Sequence, residues 1–277
     1  MGTMTLRSSV MNEEMISSAE LSRAACCNLG ESFVTNPSVD VSYSDAATGA
    51  KQIKLLGLSG TYVQMLTENI PNYRGAAAPY GLGYVPGPWM QSIQVSKGTS
   101  SVKNGYEAIT GQINVEFKKP QLPEADWVSA NLFASTTNRY EANADATLKL
   151  SKRWSTSLLA HYENETKAHD GNDDGFVDIP QVEQYNVWNR WAYMGDHYVF
   201  QAGIKALSET RTSGQANHGG TMHSGDLYKV GIDTERYEFF TKNAYIFNKE
   251  KNTNLALILS TTLHNPFSYT HLRAHET

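Results

Sequence analysis

From Tyr140 to Leu150 the chain alternates without a slip, with Tyr140, Ala142, Ala144, Ala146, Leu148 and Leu150 on one side and Glu141, Asn143, Asp145, Thr147 and Lys149 on the other. Successive side chains of a strand point to opposite faces, so this segment reads as a strand with one apolar and one polar face. The same period recurs, less cleanly, in Val128–Ser135, Trp154–Glu163, Tyr185–Tyr193, Tyr198–Ala206, Tyr228 toward Phe247, and Asn254–Leu263. That makes about seven strands of roughly ten residues each, the length a tilted strand needs to cross a bilayer. Short connections (Ser151–Arg153, Gly195–His197, Lys249–Asn252) alternate with long polar ones (Lys167–Glu183, Ser208–Asp226).

Two architectures share this pattern: a soluble sandwich with one wet face, and a transmembrane barrel with short turns on one side of the membrane and long loops on the other. In the barrel reading Val128–Ser135 runs outward and Tyr140–Leu150 returns, with Trp127, Tyr140, Trp154, Tyr193 and Tyr198 near strand ends as interfacial aromatics. The small alanines of Tyr140–Leu150 suit a lipid-facing surface better than a sandwich core. No apolar run approaches the ~20 residues of a membrane helix, so any crossing must be by strands. The net charge of −5 and the lack of a Lys/Arg cluster argue against nucleic acid as a partner. Adjacent Cys26 and Cys27 read as thiols, since neighbours rarely reach disulfide geometry.

Up to about Pro120 the periodicity is different. Ser17-Ser-Ala-Glu20 is a capping-box pattern ahead of Leu21, Ala24, Ala25 and Leu29, a helix that Gly30 would end. Strand candidates at Gln52–Leu58, Tyr62–Leu66, Met90–Ser96 and Gln112–Phe117 follow, separated by turns such as Gly81-Leu-Gly-Tyr-Val-Pro-Gly-Pro88. This is a small mixed α/β unit with long loops.

Specific wording adds to this. Asp45–Gly60 through Asn69-Ile-Pro71 resembles the plug of TonB-dependent receptors, in which an Ile-x-x-Arg-Gly strand precedes a Leu-x-Asp-Gly-x-Pro turn; Gly57 stands at the Arg-Gly, and Glu68-Asn-Ile-Pro71 stands for the turn. Ile93-Gln-Val-Ser-Lys-Gly98 and Asn104-Gly-Tyr-Glu-Ala-Ile-Thr-Gly-Gln-Ile-Asn-Val-Glu-Phe-Lys-Lys-Pro120 are similar to the family's plug ending, and the wording is closest to receptors of the Bacteroidetes type. The resemblance implies an α/β plug (1–120) followed by the first antiparallel transmembrane β-barrel strands (121–267) of an incomplete barrel; Ser268–Thr277 breaks the strand rhythm and reads as an unrelated tail. It implies import of a scarce nutrient, such as a metal chelate, a cobalamin-like compound or a metal ion, across the outer membrane of a Gram-negative bacterium, driven by TonB–ExbB–ExbD. Neither a TonB box nor a signal peptide is recognisable in the first residues, so the chain reads as a fragment at both ends. The competing reading is a secreted calcium-binding adhesion or carbohydrate-binding module.

Candidate sites follow. In Asp170-Gly-Asn-Asp-Asp-Gly-Phe-Val-Asp178, Asp170, Asn172, Asp174, the Phe176 carbonyl and Asp178 fall at positions one, three, five, seven and nine of a calcium loop, with Gln181 where a bidentate Glu is expected and Glu183 nearby. A solvated acidic turn has the same composition. Calcium would order the loop without catalysing anything. His161, His169, His218, Met222 and His223 are candidate ligands for a soft or borderline metal substrate. Tyr73, Arg74, Tyr80, Tyr84 and Trp89 lie in Pro/Gly-rich loops that, by the resemblance, rise to the external mouth and either touch ligand or pack the plug. No nucleophile elbow, phosphate loop or HExxH pair is present, so the reading is of a non-enzyme without an organic cofactor.

Overall fold

A computed structural model describes residues 4–6, 12–24, 27–34, 36–99, 107–120, 127–216, 227–249, 251 and 253–271. The chain divides into two units, Met1–Lys118 and Lys119–Thr277.

The first unit carries, in chain order, β1 (Met4–Leu6), β2 (Asn12–Ser17), α1 (Ser18–Ala24), β3 (Val39–Asp45), β4 (Ala50–Leu55), β5 (Leu58–Ser59), β6 (Val63–Thr67), β7 (Ile70–Pro71), β8 (Met90–Lys97) and β9 (Gly111–Phe117). Six of them join in the order β1-β2-β8-β9-β6-β7, and β3, β4 and β5 form a separate sheet. β6 and β9 run parallel, so the chain must cross over between them, and the Pro/Gly-rich stretch from 72 to 89 lies on that crossover. The capping box forms: the Glu20 carboxylate accepts the Ser17 N–H at 2.8 Å and its hydroxyl at 2.9 Å. The helix stops at Ala24, however, short of Gly30. Leu29 is fully buried outside any helix, its N–H donating to Val85 at 3.0 Å.

Local chemistry explains the turns. Glu68 and Asn69 both take left-handed backbone, with φ of 51° and 62°, as a two-residue hairpin between β6 and β7 requires. Asn tolerates that geometry, which is how it can stand where the related turn has Gly. Gly111 is a stricter case: at φ 155° an added Cβ would sit 2.1 Å from the Ser96 carbonyl oxygen. The core of this unit is conventional. Leu66, Tyr84, Trp89, Ile93 and Ile113 are buried, each large apolar side chain contributing about 1.5–3 kcal/mol by leaving water.

The second unit is a meander of seven strands, β10 (Trp127–Ala134), β11 (Tyr140–Lys149), β12 (Trp154–Glu165), β13 (Gln181–Met194), β14 (Tyr198–Gly214), β15 (Lys229–Asn248) and β16 (Thr253–His271), each antiparallel to the next. Its amphipathicity is inverted. One face buries Glu141, Asn143, Asp145, His161, Glu163, Asn186, Arg190, Lys205, Glu209 and Arg236. The other exposes Val128, Leu132, Leu158, Val187, Ile204, Phe239, Leu257 and Leu263.

All seven strands were legible, but their upper ends were not. β14 runs on to Gly214 and β15 begins at Lys229, so the long connection is 215–228 and not Ser208–Asp226; likewise β13 starts at Gln181, inside the stretch read as a loop. Past Leu207 the β14 residues Ser208–Ser213 are polar on both faces, which erases the alternation while the backbone pairing with β15 continues. β16 also continues through Ser268, Tyr269, Thr270 and His271, where the sequence suggested that the strand rhythm breaks; residues 272–277 lie outside the described residues. Trp127 pairs with Thr147 on the polar face, not among the outward aromatics.

Candidate functional site

The polar face of β11–β15 is organised by register. Glu141 and Glu163 are direct cross-strand partners, an arrangement that places like charges opposite each other. Arg139, in the turn just before β11, resolves it by reaching Glu141 at 2.7 Å and Glu163 at 3.0 Å. His161 bonds the Asn143 side chain at 2.8 Å, and Gln184 donates to Glu209 at 2.8 Å, which also meets Arg211 at 3.1 Å. Glu238 lies 2.8 Å from Arg236 and 3.7 Å from Lys205. The Arg190 guanidinium covers the Trp188 ring at 4.7 Å; Gly203 opposite is needed, since a Cβ there would meet Phe240 at 2.5 Å and Trp188 at 2.7 Å. This face offers fixed donors and acceptors of both signs.

The opposite face is banded. Trp154, Tyr193, Tyr198, Phe200, Tyr245 and Phe247 cluster near the short turns, with Trp154 5.1 Å from Tyr193 and Tyr245 5.1 Å from Phe247. The Tyr162 and Tyr185 rings meet at 4.9 Å, tilted by 44°, toward the long loops. Tyr185 to Tyr193 is eight steps of β13, about 26 Å along the strand. Between the bands the outward positions Ala142, Ala144, Thr156, Leu158, Ala160, Val187, Asn189, Trp191, Ala202, Ile204 and Ala206 carry no charge.

In the first unit, Tyr73, Tyr84 and Trp89 are core residues and not surface aromatics of a loop: their exposures are 4%, 0% and 0%. Tyr73 packs on Gly81, where an added Cβ would come within 2.7 Å of it, and its ring lies 6.3 Å from that of Tyr84. Arg74 and the half-buried Tyr80 are reachable from solvent, and Arg74 pairs with Glu107 at 2.7 Å, tying the crossover to the segment before β9. Tyr73 also lines a cavity of about 320 Å³ with Lys51, Ile53, Val63, Met65 and Leu82. The signal that sequence reading lacked was Gly81, which makes room for a buried ring.

The loop from 166 to 180 closes on itself. Asp170 accepts the Asp174 N–H at 3.2 Å and the Gly175 N–H at 2.7 Å, Asp174 accepts the Phe176 N–H at 2.8 Å and the Asn172 amide at 3.0 Å, and Asp178 accepts the Gly171 N–H at 2.7 Å. Asp170, Asn172 and Asp174 are thus gathered around one turn, although among the described residues no three His, Cys, Asp or Glu side chains converge as metal ligands. His169 bonds the Thr137 carbonyl, and His161 is buried on the polar face. His218, Met222 and His223 lie outside the described residues.

A conventionally packed α/β unit followed by an inverted antiparallel sheet defines a plug-and-barrel protein. Residues 5–112, nearly the whole of the first unit, match the model of the TonB-dependent Receptor Plug Domain. The whole chain also has the fold of solved receptors. It is similar to P. aeruginosa FpvA bound to heterologous pyoverdines (TM-score 0.65, 12% identity, 99% of this chain and 45% of that one). It is similar to the copper transporter OprC (TM-score 0.63, 12% identity, 97% and 47%) and to the siderophore receptor PiuA from Acinetobacter baumannii (TM-score 0.57, 12% identity, 92% and 37%). The chain therefore spans less than half the length of these structures. A sequence comparison with curated proteins yields no match.

Proposed function

We propose that this chain is the plug and leading barrel segment of an outer-membrane transporter of a Gram-negative bacterium, which binds a scarce nutrient and imports it to the periplasm. The inverted sheet carries the reading: a soluble adhesion or carbohydrate-binding module would not expose Leu158, Val187 and Ile204 while burying Arg190 and Glu209. The relatives in fold include siderophore receptors and a copper transporter, which favours a metal chelate or metal ion as cargo over a cobalamin-like compound. A plugged lumen in a membrane without an ion gradient needs mechanical energy, the role proposed for TonB–ExbB–ExbD. No catalytic step is involved.

Expression of the full-length gene should give an outer-membrane protein whose electrophoretic mobility shifts on heating, and its deletion should abolish growth on one limiting metal source. A soluble, folded monomer would overturn the reading. Calcium at Asp170, Asn172, Asp174, Phe176 and Asp178 belongs to the same proposal as a structural staple. EDTA should then raise proteolytic cutting between 166 and 180, and unchanged cutting would remove calcium from the account.

A further inference from the structure

The two rims of the seven-stranded sheet differ in charge. On the long-loop side the connection from 166 to 180 carries Asp170, Asp173, Asp174 and Asp178 against Lys167. On the other side, the three short turns carry exposed Lys152, Arg153, Lys249 and Lys251. Their acidic residues are Asp196 and Glu250, the latter outside the described residues. Asp196 is shared, lying 2.9 Å from Arg153 and 3.9 Å from Lys249, so one carboxylate draws the three turns together. Backbone bonds fix them laterally: Met194 N–H to the Arg153 carbonyl and Ile246 N–H to the His197 carbonyl, both at 2.8 Å. The result is a rim with an excess of cationic side chains.

Immediately beside this rim, on the outward face, lie the rings of Trp154, Tyr193, Tyr198 and Tyr245, and beyond them the uncharged band containing Leu158, Val187 and Ile204. A partner that satisfies all three layers has an anionic head, a glycerol-depth region and an apolar tail. We propose that the short-turn rim is a binding site for the phosphate of anionic phospholipid, with Lys152, Lys249 and Lys251 as its contacts and Arg153 held in place by Asp196. This rests on the reading of the outward face as lipid-facing. Peptide or nucleic-acid anions fit less well, because neither would cover the adjoining aromatic and aliphatic surface.

The test uses the full-length protein in nanodiscs of phosphatidylethanolamine with or without phosphatidylglycerol, with retained lipid counted by native mass spectrometry. Phosphatidylglycerol should be retained above its share of the bilayer, and Lys152→Gln, Lys249→Gln and Lys251→Gln together should bring its retention back to that share. Lysine-to-arginine replacements at the same positions should preserve it. Equal retention of both lipids, unchanged enrichment in the glutamine variant, or complete displacement by inorganic phosphate would overturn the proposal while leaving the transporter reading intact. Failure of the wild-type protein to insert into either bilayer would overturn both.

Discussion

The plug and the barrel segment solve the burial problem in opposite ways. Residues 4–118 hide Leu66, Trp89, Ile93 and Ile113, while the seven strands expose Leu132, Val187, Ile204 and Leu263 and hide Glu141, Arg190 and Lys205. Apolar burial stabilises the plug because water is its solvent; on the transporter reading proposed above, the barrel segment is stable only where hydrocarbon takes water's place outside and polar partners are supplied inside. Fold class in such a chain is therefore set by which face the alternation turns outward, a property that periodicity alone does not reveal.

Substitutions that cross the two regimes should separate them. The largest effect is expected in the plug, where Trp89→Ala empties a fully buried site and should cost about 3–5 kcal/mol, read as a lowered denaturation midpoint of the plug signal in urea. Next comes Ile204→Arg on the outward face, midway along β14 between the aromatic bands; about 2–4 kcal/mol is expected, read as a smaller heat-modifiable fraction in lipid. If arginine at 204 were tolerated, the distinction between the two regions would fail. Arg139→Ala should cost less, about 1–3 kcal/mol, by leaving Glu141 facing Glu163, and Glu163→Gln should restore much of the loss in the double variant.

The smallest effect is in the exposed β3–β4 turn. There the Thr48 hydroxyl donates to Asp45, helped by the Ala47 N–H, and holds that carboxyl below its ordinary range. A depressed folded value means stability present above the unfolded pKa and lost as pH falls through the folded one. Thr48→Val should shift the Asp45 titration upward by NMR, with little change in global stability because the group is exposed.

Much of this was legible from residues. Alternation located all seven strands, and Ser17 with Glu20 located the helix start. What stayed hidden depended on contacts between distant segments. The extension of β14 to Gly214 is encoded in pairing with β15, since Thr210 and Arg211 show no apolar side to either face. β3 escaped notice because Val39-Asp-Val-Ser-Tyr-Ser-Asp45 becomes exposed along its length and so shows no sustained core face. Tyr73 and Trp89 looked like loop residues because Gly and Pro surround them, yet the crossover between parallel β6 and β9 wraps that stretch around a core. Of the polar face, the residue types were visible, but the Arg139 pairing with Glu163 follows only from the β11–β12 register.

The inverted sheet is the central claim, and the direct measurement is lipid accessibility along β13 and β14. Single spin labels at residues 186–191 and 202–207 of the full-length protein in bilayers, in a Cys26→Ser, Cys27→Ser background, would report collision with oxygen dissolved in the hydrocarbon. Oxygen accessibility should peak at Val187, Asn189, Ile204 and Ala206 and fall at Asn186, Trp188, Lys205 and Leu207, with a period of two. High accessibility at the second set with protection of the first would contradict the account.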